Sequence, residues 1–293
     1  MKKYRDIELV FRADETHMVG NGFRVKQYFP GAKDITERFS PFILLDYNPP
    51  HYFEPSNVRL GVGAHPHRGF ETVTIAYQGK VEHHDNKGNH GIIGPGDVQW
   101  MTAGSGVLHK EYHEEEFNKN GGMFHMIQLW VNLPKSHKMT DPKYQTLLKE
   151  NMGIVELEDN KGEISIIAGE VSGVKGPAST FTNINMYNVN LKNHGDVTIK
   201  EPSSYNTGIL ILKGEVKIND SKVGSERDFI LFENMEGDIR IESISEDAAF
   251  IVLSGEPINE PIVAYGPFVM NTEEEIRQAY NDMFSNKFGS EDF

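Results

Sequence analysis

Short runs of β-branched, aromatic and aliphatic residues recur along the chain at 72–77, 126–131, 209–212, 229–232 and 250–253, with Gly, Asn and Asp turns between them. Runs of this length and spacing predict an all-β protein of sandwich or barrel type. A helical period stands out near the C-terminal end. Thr272 and Glu275 have the spacing of a capping box, and Ile276, Ala279, Tyr280, Met283 and Phe284 follow at i, i+3, i+4, i+7 and i+8. The helix this predicts lays its apolar face on the body of the protein.

One pattern occurs twice. Tyr77-Gln78-Gly79-Lys80-Val81 followed by Asp85 returns 135 residues later as Leu212-Lys213-Gly214-Glu215-Val216 followed by Asp220. Each copy continues through a glycine and a turn aspartate, Gly96-Asp97 in one and Gly224 with Asp228 in the other, into an apolar strand. Two copies of one β unit are expected: an N-terminal domain over 1–137 and a C-terminal domain over 148–293 that includes the helix. The stretch from Pro134 to Glu150, with Pro142 and several lysines, reads as the connector.

Composition then removes whole classes of function. The chain of 293 residues has 43 acidic and 29 basic side chains, a formal net charge of −14, which argues against direct nucleic-acid binding. It contains no cysteine, so disulfides, thiolate nucleophiles, zinc–thiolate sites and iron–sulfur clusters are excluded. Any metal must be held by nitrogen and oxygen. Residues 1–6 carry positive charge without the apolar run of a secretory signal, and no stretch nears the roughly 18 apolar residues of a membrane span. A cytoplasmic protein without membrane contact is expected.

Spacing separates a few of the twelve histidines from the rest. His65-Pro66-His67 places two imidazoles on one face of an extended chain, and His109-Lys110-Glu111 does the same for an imidazole and a carboxylate. If these segments lie side by side, three neutral nitrogens and one oxygen converge as a site for one first-row divalent metal. An octahedral ion would keep one or two positions open for oxygen, water or an anionic substrate. Iron(II) suits such a site, but nickel, copper, zinc and manganese also fit, and spacing does not choose among them. The bland alternative is turn histidines and a surface glutamate. Carried into the second copy, the 135-residue offset lands His65 and His67 on Lys200 and Pro202, and the positions corresponding to His109 and Glu111 fall near Arg240 and Glu242. One metal per chain is therefore expected, in the N-terminal half. His83 and His84 face opposite sides of a strand before a turn and read as solvated. His125 is a candidate to line the barrel, His113 shares the face of Glu111, and neither is placed among the ligands.

These segments resemble the signatures of the pirin family, bicupins of the cupin superfamily. The resemblance rests on residues 65–73 (HPHRGFETV), 95–111 (PGDVQWMTAGSGVLHKE), 128–134 (QLWVNLP), 138–140 (KMT) and 266–272 (GPFVMNT). It implies two stacked cupin (jelly-roll) β-barrels with a C-terminal helix, and iron in the N-terminal barrel held by His65, His67, His109 and Glu111. The general cupin pattern would offer Glu71 instead, and Glu111 is preferred because pirins use the carboxylate of His-x-Glu. Gly104-Ser105-Gly106 stands where many cupins have proline, x, glycine, a departure typical of pirins.

Some pirins resemble flavonol dioxygenases, opening quercetin with O2 and releasing carbon monoxide. That resemblance implies a small aromatic, flavonol-like substrate, with Glu111 as the catalytic group accepting the hydroxyl proton. Phe53, Phe70, Trp100 and Met101 are candidates for an apolar wall. A rival reading is a non-catalytic metal protein whose redox state alters a surface for a protein partner. A third is a cupin enzyme acting on another enol or acid. Nucleotide cofactors and serine-hydrolase chemistry have no support, since no P-loop, complete Gly-x-Gly-x-x-Gly or nucleophile elbow occurs.

Overall fold

A computed structural model describes residues 4–293. Nearly all of its regular structure is antiparallel strand, in two compact β-barrels. The first barrel comprises Asp14–Glu37, Pro41–Lys149 and Ile258–Phe293. Its seven-stranded sheet runs in the order Lys143–Leu147, Val98–Thr102, Phe70–Gln78, Gly122–Asn132, Phe42–Phe53, Phe23–Phe29, His17–Val19. A four-stranded sheet of Gly61–His67, Val107–His113, Val81–Asp85 and His90–Ile93 completes it. The second barrel comprises residues 4–13, 38–40 and 150–257 and repeats the plan with seven strands and four.

The observed division departs from the expected one at both ends of the chain. Ile7–Phe11 pairs with Phe229–Phe232 at a sheet edge of the second barrel. The segment read as a connector instead contains Lys143–Leu147, which pairs with Val98–Thr102 at the equivalent edge of the first. Each added strand covers a row of backbone groups that would otherwise lie open. The helix Glu273–Phe284 belongs to the first barrel, where Ile276 and Ala279 pack with Leu108, Phe268 and Phe288. Its capping box forms as predicted, but Phe284 is 76% exposed and Asp282 is buried. Asp282 accepts a 2.9 Å bond from the buried Arg68, next to His67 in the chain. Glu114 caps a short helix, Glu115–Asn120, accepting from the Glu116 and Phe117 backbone N–H groups. Among the described residues, no helix is long and apolar enough to cross a membrane.

Candidate metal centre

Strand pairing brings the two histidine segments together. Val107–His113 runs between Gly61–His67 and Val81–Asp85, with His109 opposite His65 on one side and Glu111 opposite His83 on the other. Next to this strand end, Gly69 has φ +88°, and a Cβ there would meet the Val269 carbonyl oxygen at 2.0 Å. Glycine thus permits the close approach that places Gly266 and Pro267 beside the histidines.

His65, His67 and His109 each offer a ligating atom, and these atoms lie within 4.8 Å of one another. The hydrogen bonds around them assign the ring tautomers. His65 Nδ1 lies 2.8 Å from the Gly63 carbonyl, and His67 Nδ1 lies 3.4 Å from the Pro267 carbonyl. Since a carbonyl can only accept, both Nδ1 atoms carry the hydrogen and both Nε2 atoms keep a lone pair.

For His109 the fixing partner is His83, which is fully buried and not solvated as expected. His83 Nε2 faces the Asp85 carboxylate at 3.3 Å, so it carries the hydrogen and its Nδ1 becomes the acceptor. That Nδ1 faces the Gln99 amide nitrogen at 3.2 Å and His109 Nδ1 at 3.4 Å. His109 Nε2 is left buried and without a partner. Burial alone pushes Asp85 up, but bonds from His83 and Asn89 outweigh it and hold the carboxyl below its ordinary range. Burial drives both His67 and His109 well below the usual histidine range, with neighbouring imidazoles adding to the shift. Neutral rings whose outer nitrogen donates to a carbonyl or to a further residue are the usual state of histidine metal ligands.

Glu111 joins this group from the side. It forms a second ligating triad with His83 and His109, and it lines the same cavity as His65 and His67. Its Oε1 accepts from Thr74 at 3.3 Å and Gln99 at 3.1 Å, and its Oε2 from Gln128 at 3.3 Å. Tyr144 donates to Gln99 Oε1 at 3.2 Å, which orients the Gln99 amide with its nitrogen toward Glu111 and His83. Glu71, the competing carboxylate, accepts a 2.7 Å bond from Thr102, and burial pushes it up to about 7. Among the described residues it belongs to no cluster with the imidazoles.

The cavity has a volume of about 430 Å³ and is walled by Val19, Phe23, Val25, Val62, Met126 and Trp130, with Asp46, Asn48 and Gln128 as polar points. None of the four aromatic and methionine residues expected at the wall lines it. Trp100 and Met101 are wholly buried, Phe53 packs on His113 and Phe124, and Phe70 lies behind Trp130 with ring centroids 4.2 Å apart. His125 packs at a tilt on Tyr77 and bonds the Tyr47 hydroxyl, while His113 bonds the Gly22 carbonyl within an aromatic cluster. Neither belongs to a metal-type cluster among the described residues, and His125, a candidate to line the barrel, is not among the residues walling this cavity. Trp130 sat inside a segment noted in the sequence, but no spacing rule marks a residue as a cavity wall.

The same positions in the second barrel correct the expected correspondence. With Val81 and Val216 equivalent, Glu111 opposite His83 maps to Ile241 opposite Ile218, and His109 opposite His65 maps to Ile239 opposite Ile199. The offset shrinks along the copy because its turns are shorter. Arg240 and Glu242 are the outward-facing neighbours and bond to each other at 3.0 Å.

Two such barrels, one with a histidine-lined polar interior that could hold a metal and one without, define a bicupin. The comparisons with known proteins agree with that class. Family models described as Pirin and as Pirin C-terminal cupin domain match residues 22–131 and 186–289. The chain belongs to the pirin family. A Pseudomonas aeruginosa protein named "Putative quercetin 2,3-dioxygenase" is 47% identical over 93% of this chain and 94% of its own length. Pirin-1 of Arabidopsis thaliana is 39% identical over 80% of each chain. A crystal structure of quercetin 2,3-dioxygenase from Acinetobacter baumannii superposes with a TM-score of 0.93 at 43% identity, covering 98% of this chain and 99% of the other.

Proposed function

We propose that this chain is a mononuclear non-haem dioxygenase that opens a flavonol such as quercetin, with iron(II) as its metal. The observation that carries the metal is the convergence of three imidazoles whose Nε2 lone pairs are left free by bonds at Nδ1. His65, His67 and His109 would hold the ion, with Glu111 as the oxygen donor. A bound ion of this kind supplies Lewis acidity toward a flavonol oxygen and a redox-active centre for O2.

The remaining work falls to the chain itself. Glu111 takes the proton of the flavonol hydroxyl. Its Oε1 is held by two bonds and its Oε2 by one, so the lone pair left on Oε2 takes that proton once the carboxylate is off the ion. Val19, Phe23, Val62, Met126 and Trp130 exclude water from the ring, and Asp46 and Asn48 offer polar partners to ring hydroxyls. The cavity volume falls in the range of roughly 300–1,000 Å³ usual for small-molecule sites. The flavonol assignment is supported by the names of the similar proteins and by this apolar, few-pointed lining.

The test is anaerobic loading with iron(II), then quercetin in air, following flavonol absorbance, oxygen uptake and carbon monoxide beside the His67→Ala variant. Iron-dependent consumption with gas release, lost in His67→Ala, is the expected result. Stoichiometric iron binding without consumption would overturn the substrate, and absence of iron binding would overturn the centre itself.

A further inference from the structure

The strand Val81–Asp85 carries chemistry on both faces. His83 and Asp85 turn inward, whereas Glu82 and His84, two residues apart, share the outer face. His90 lies directly opposite His84 on the neighbouring strand His90–Ile93. The two imidazoles stack with ring centroids 4.2 Å apart and an interplanar angle of 26°. Both Nε2 atoms address a single oxygen, Glu82 Oε1, at 2.8 Å from His84 and 3.2 Å from His90. The other oxygen, Oε2, is taken by Arg59 at 2.7 Å, and that guanidinium is itself seated 4.1 Å over the Tyr112 ring. Glu82 is therefore held from behind, with one oxygen presented to two imidazole nitrogens.

We propose that Glu82, His84 and His90 form a second, outer site for a divalent metal of the zinc, copper or nickel type. Their ligating atoms lie within 4.8 Å of one another. Ligands around a tetrahedral zinc ion stand about 3.3 Å apart, given metal–ligand bonds of about 2.0–2.1 Å. The His84 contact needs to open by about 0.5 Å and the His90 contact by about 0.1 Å to admit an ion in place of the two N–H hydrogens. Two imidazoles and one carboxylate with a fourth position toward solvent suit borderline metals, and the absence of a thiolate or an all-oxygen shell disfavours copper(I) and magnesium. The half-exposed His90 leaves that fourth position to water or to an incoming donor from another molecule. The site is distinct from the inner centre and shares no ligand with it, so it stands or falls independently of the dioxygenase reading.

The experiment uses the full chain without an affinity tag, dialysed against Zn2+ alone, with metal content and calorimetric stoichiometry measured for wild type, His90→Ala, His84→Ala and His67→Ala. Wild type is expected to bind two equivalents, and each outer variant one. His67→Ala is expected to lose the inner equivalent and keep the outer. His90 lies at the surface, so its replacement is expected to leave the fold unchanged, with circular dichroism of each variant as the control. Retention of the wild-type stoichiometry in both His90→Ala and His84→Ala would overturn the proposal, whatever His67→Ala does.

Discussion

The interiors of the two barrels differ residue for residue on a shared strand plan. His65, His83, His109 and Glu111 of the first correspond to Ile199, Ile218, Ile239 and Ile241 of the second. Thr74, Gln99 and Gln128, which hold Glu111, correspond to Ile209, Ile230 and Val252. All seven replacements lie in one aliphatic cluster. The second barrel thus shows what the scaffold needs for stability alone, which is apolar volume at these seven positions. The first gives up that burial and retains a buried polar network, tolerable because nearly every member has a partner. His109 Nε2 is an exception, and an unpartnered lone pair at that point is what a metal would satisfy.

The most severe way to break this contrast is to place one polar group of the first barrel in the second by itself. Ile241→Glu would bury a carboxyl among aliphatic side chains with none of the Thr, Gln or His partners that Glu111 has. A loss of at least about 4 kcal/mol is expected in chemical denaturation. A cost near zero would mean that the second interior is not the closed apolar core described.

The first barrel also depends on an anchor beside the metal segment. Asp282→Ala would leave Arg68 buried without its carboxylate, with an expected loss of about 3 kcal/mol. Asp282 carries a pH signature as well. Bonds from Lys287, Arg68 and Gln278 hold its carboxyl down at about 2, below the ordinary 3.8. Its contribution is therefore complete above about pH 4 and disappears as pH falls toward 2. Denaturation curves of wild type and Asp282→Asn should converge across that window, and parallel curves would remove the ion pair from the account.

His83→Leu sharpens the contrast by making one inner position resemble its counterpart, Ile218. The new side chain is apolar and stays buried, while His109 loses the acceptor for its Nδ1 hydrogen and Asp85 loses the His83 donor. Metal affinity should fall roughly 10- to 100-fold, the usual effect of removing a partner from a metal-bound histidine. Stability should fall by about 1–3 kcal/mol, because buried Asp85 and His109 each lose a hydrogen-bond partner. A large loss of stability with unchanged affinity would make His83 a packing residue and nothing more.

Much of this was legible in the chain because it depends on local spacing. His65 and His67, or His109 and Glu111, lie two residues apart, and an extended backbone puts both members of each pair on one face whatever the fold around it. His83 was misread as solvated because its burial is set by Val107–His113 and Tyr144, which adjacency to His84 cannot reveal. The separation of His83 from His84 onto opposite faces was legible for the same local reason as the pairs. The repeat was visible, but no single offset holds once turn lengths differ, and the expected places of His109 and Glu111 fell one residue late, at Arg240 and Glu242 in place of Ile239 and Ile241. Both edge strands escaped notice because their partners are distant, Ile7–Phe11 with Phe229–Phe232 most of all.

The smallest expected effect concerns Glu71, whose equivalent in the second barrel is the uncharged Asn206. Burial pushes Glu71 from 4.5 up to about 7 against the opposing bond from Thr102. Between those two pH values the folded chain holds a proton that the unfolded chain has released, so stability falls as pH rises through the window and levels off above it. Glu71→Gln keeps an oxygen to accept from Thr102 and has no proton to lose. It should therefore flatten the slope and gain on the order of 1 kcal/mol at pH 8, less than the full linkage value because the amide must also fit its nitrogen into the buried site. Equal slopes for the two proteins would show that Glu71 ionises at its ordinary pKa, and the barrels would then differ at this position in charge as well as in shape.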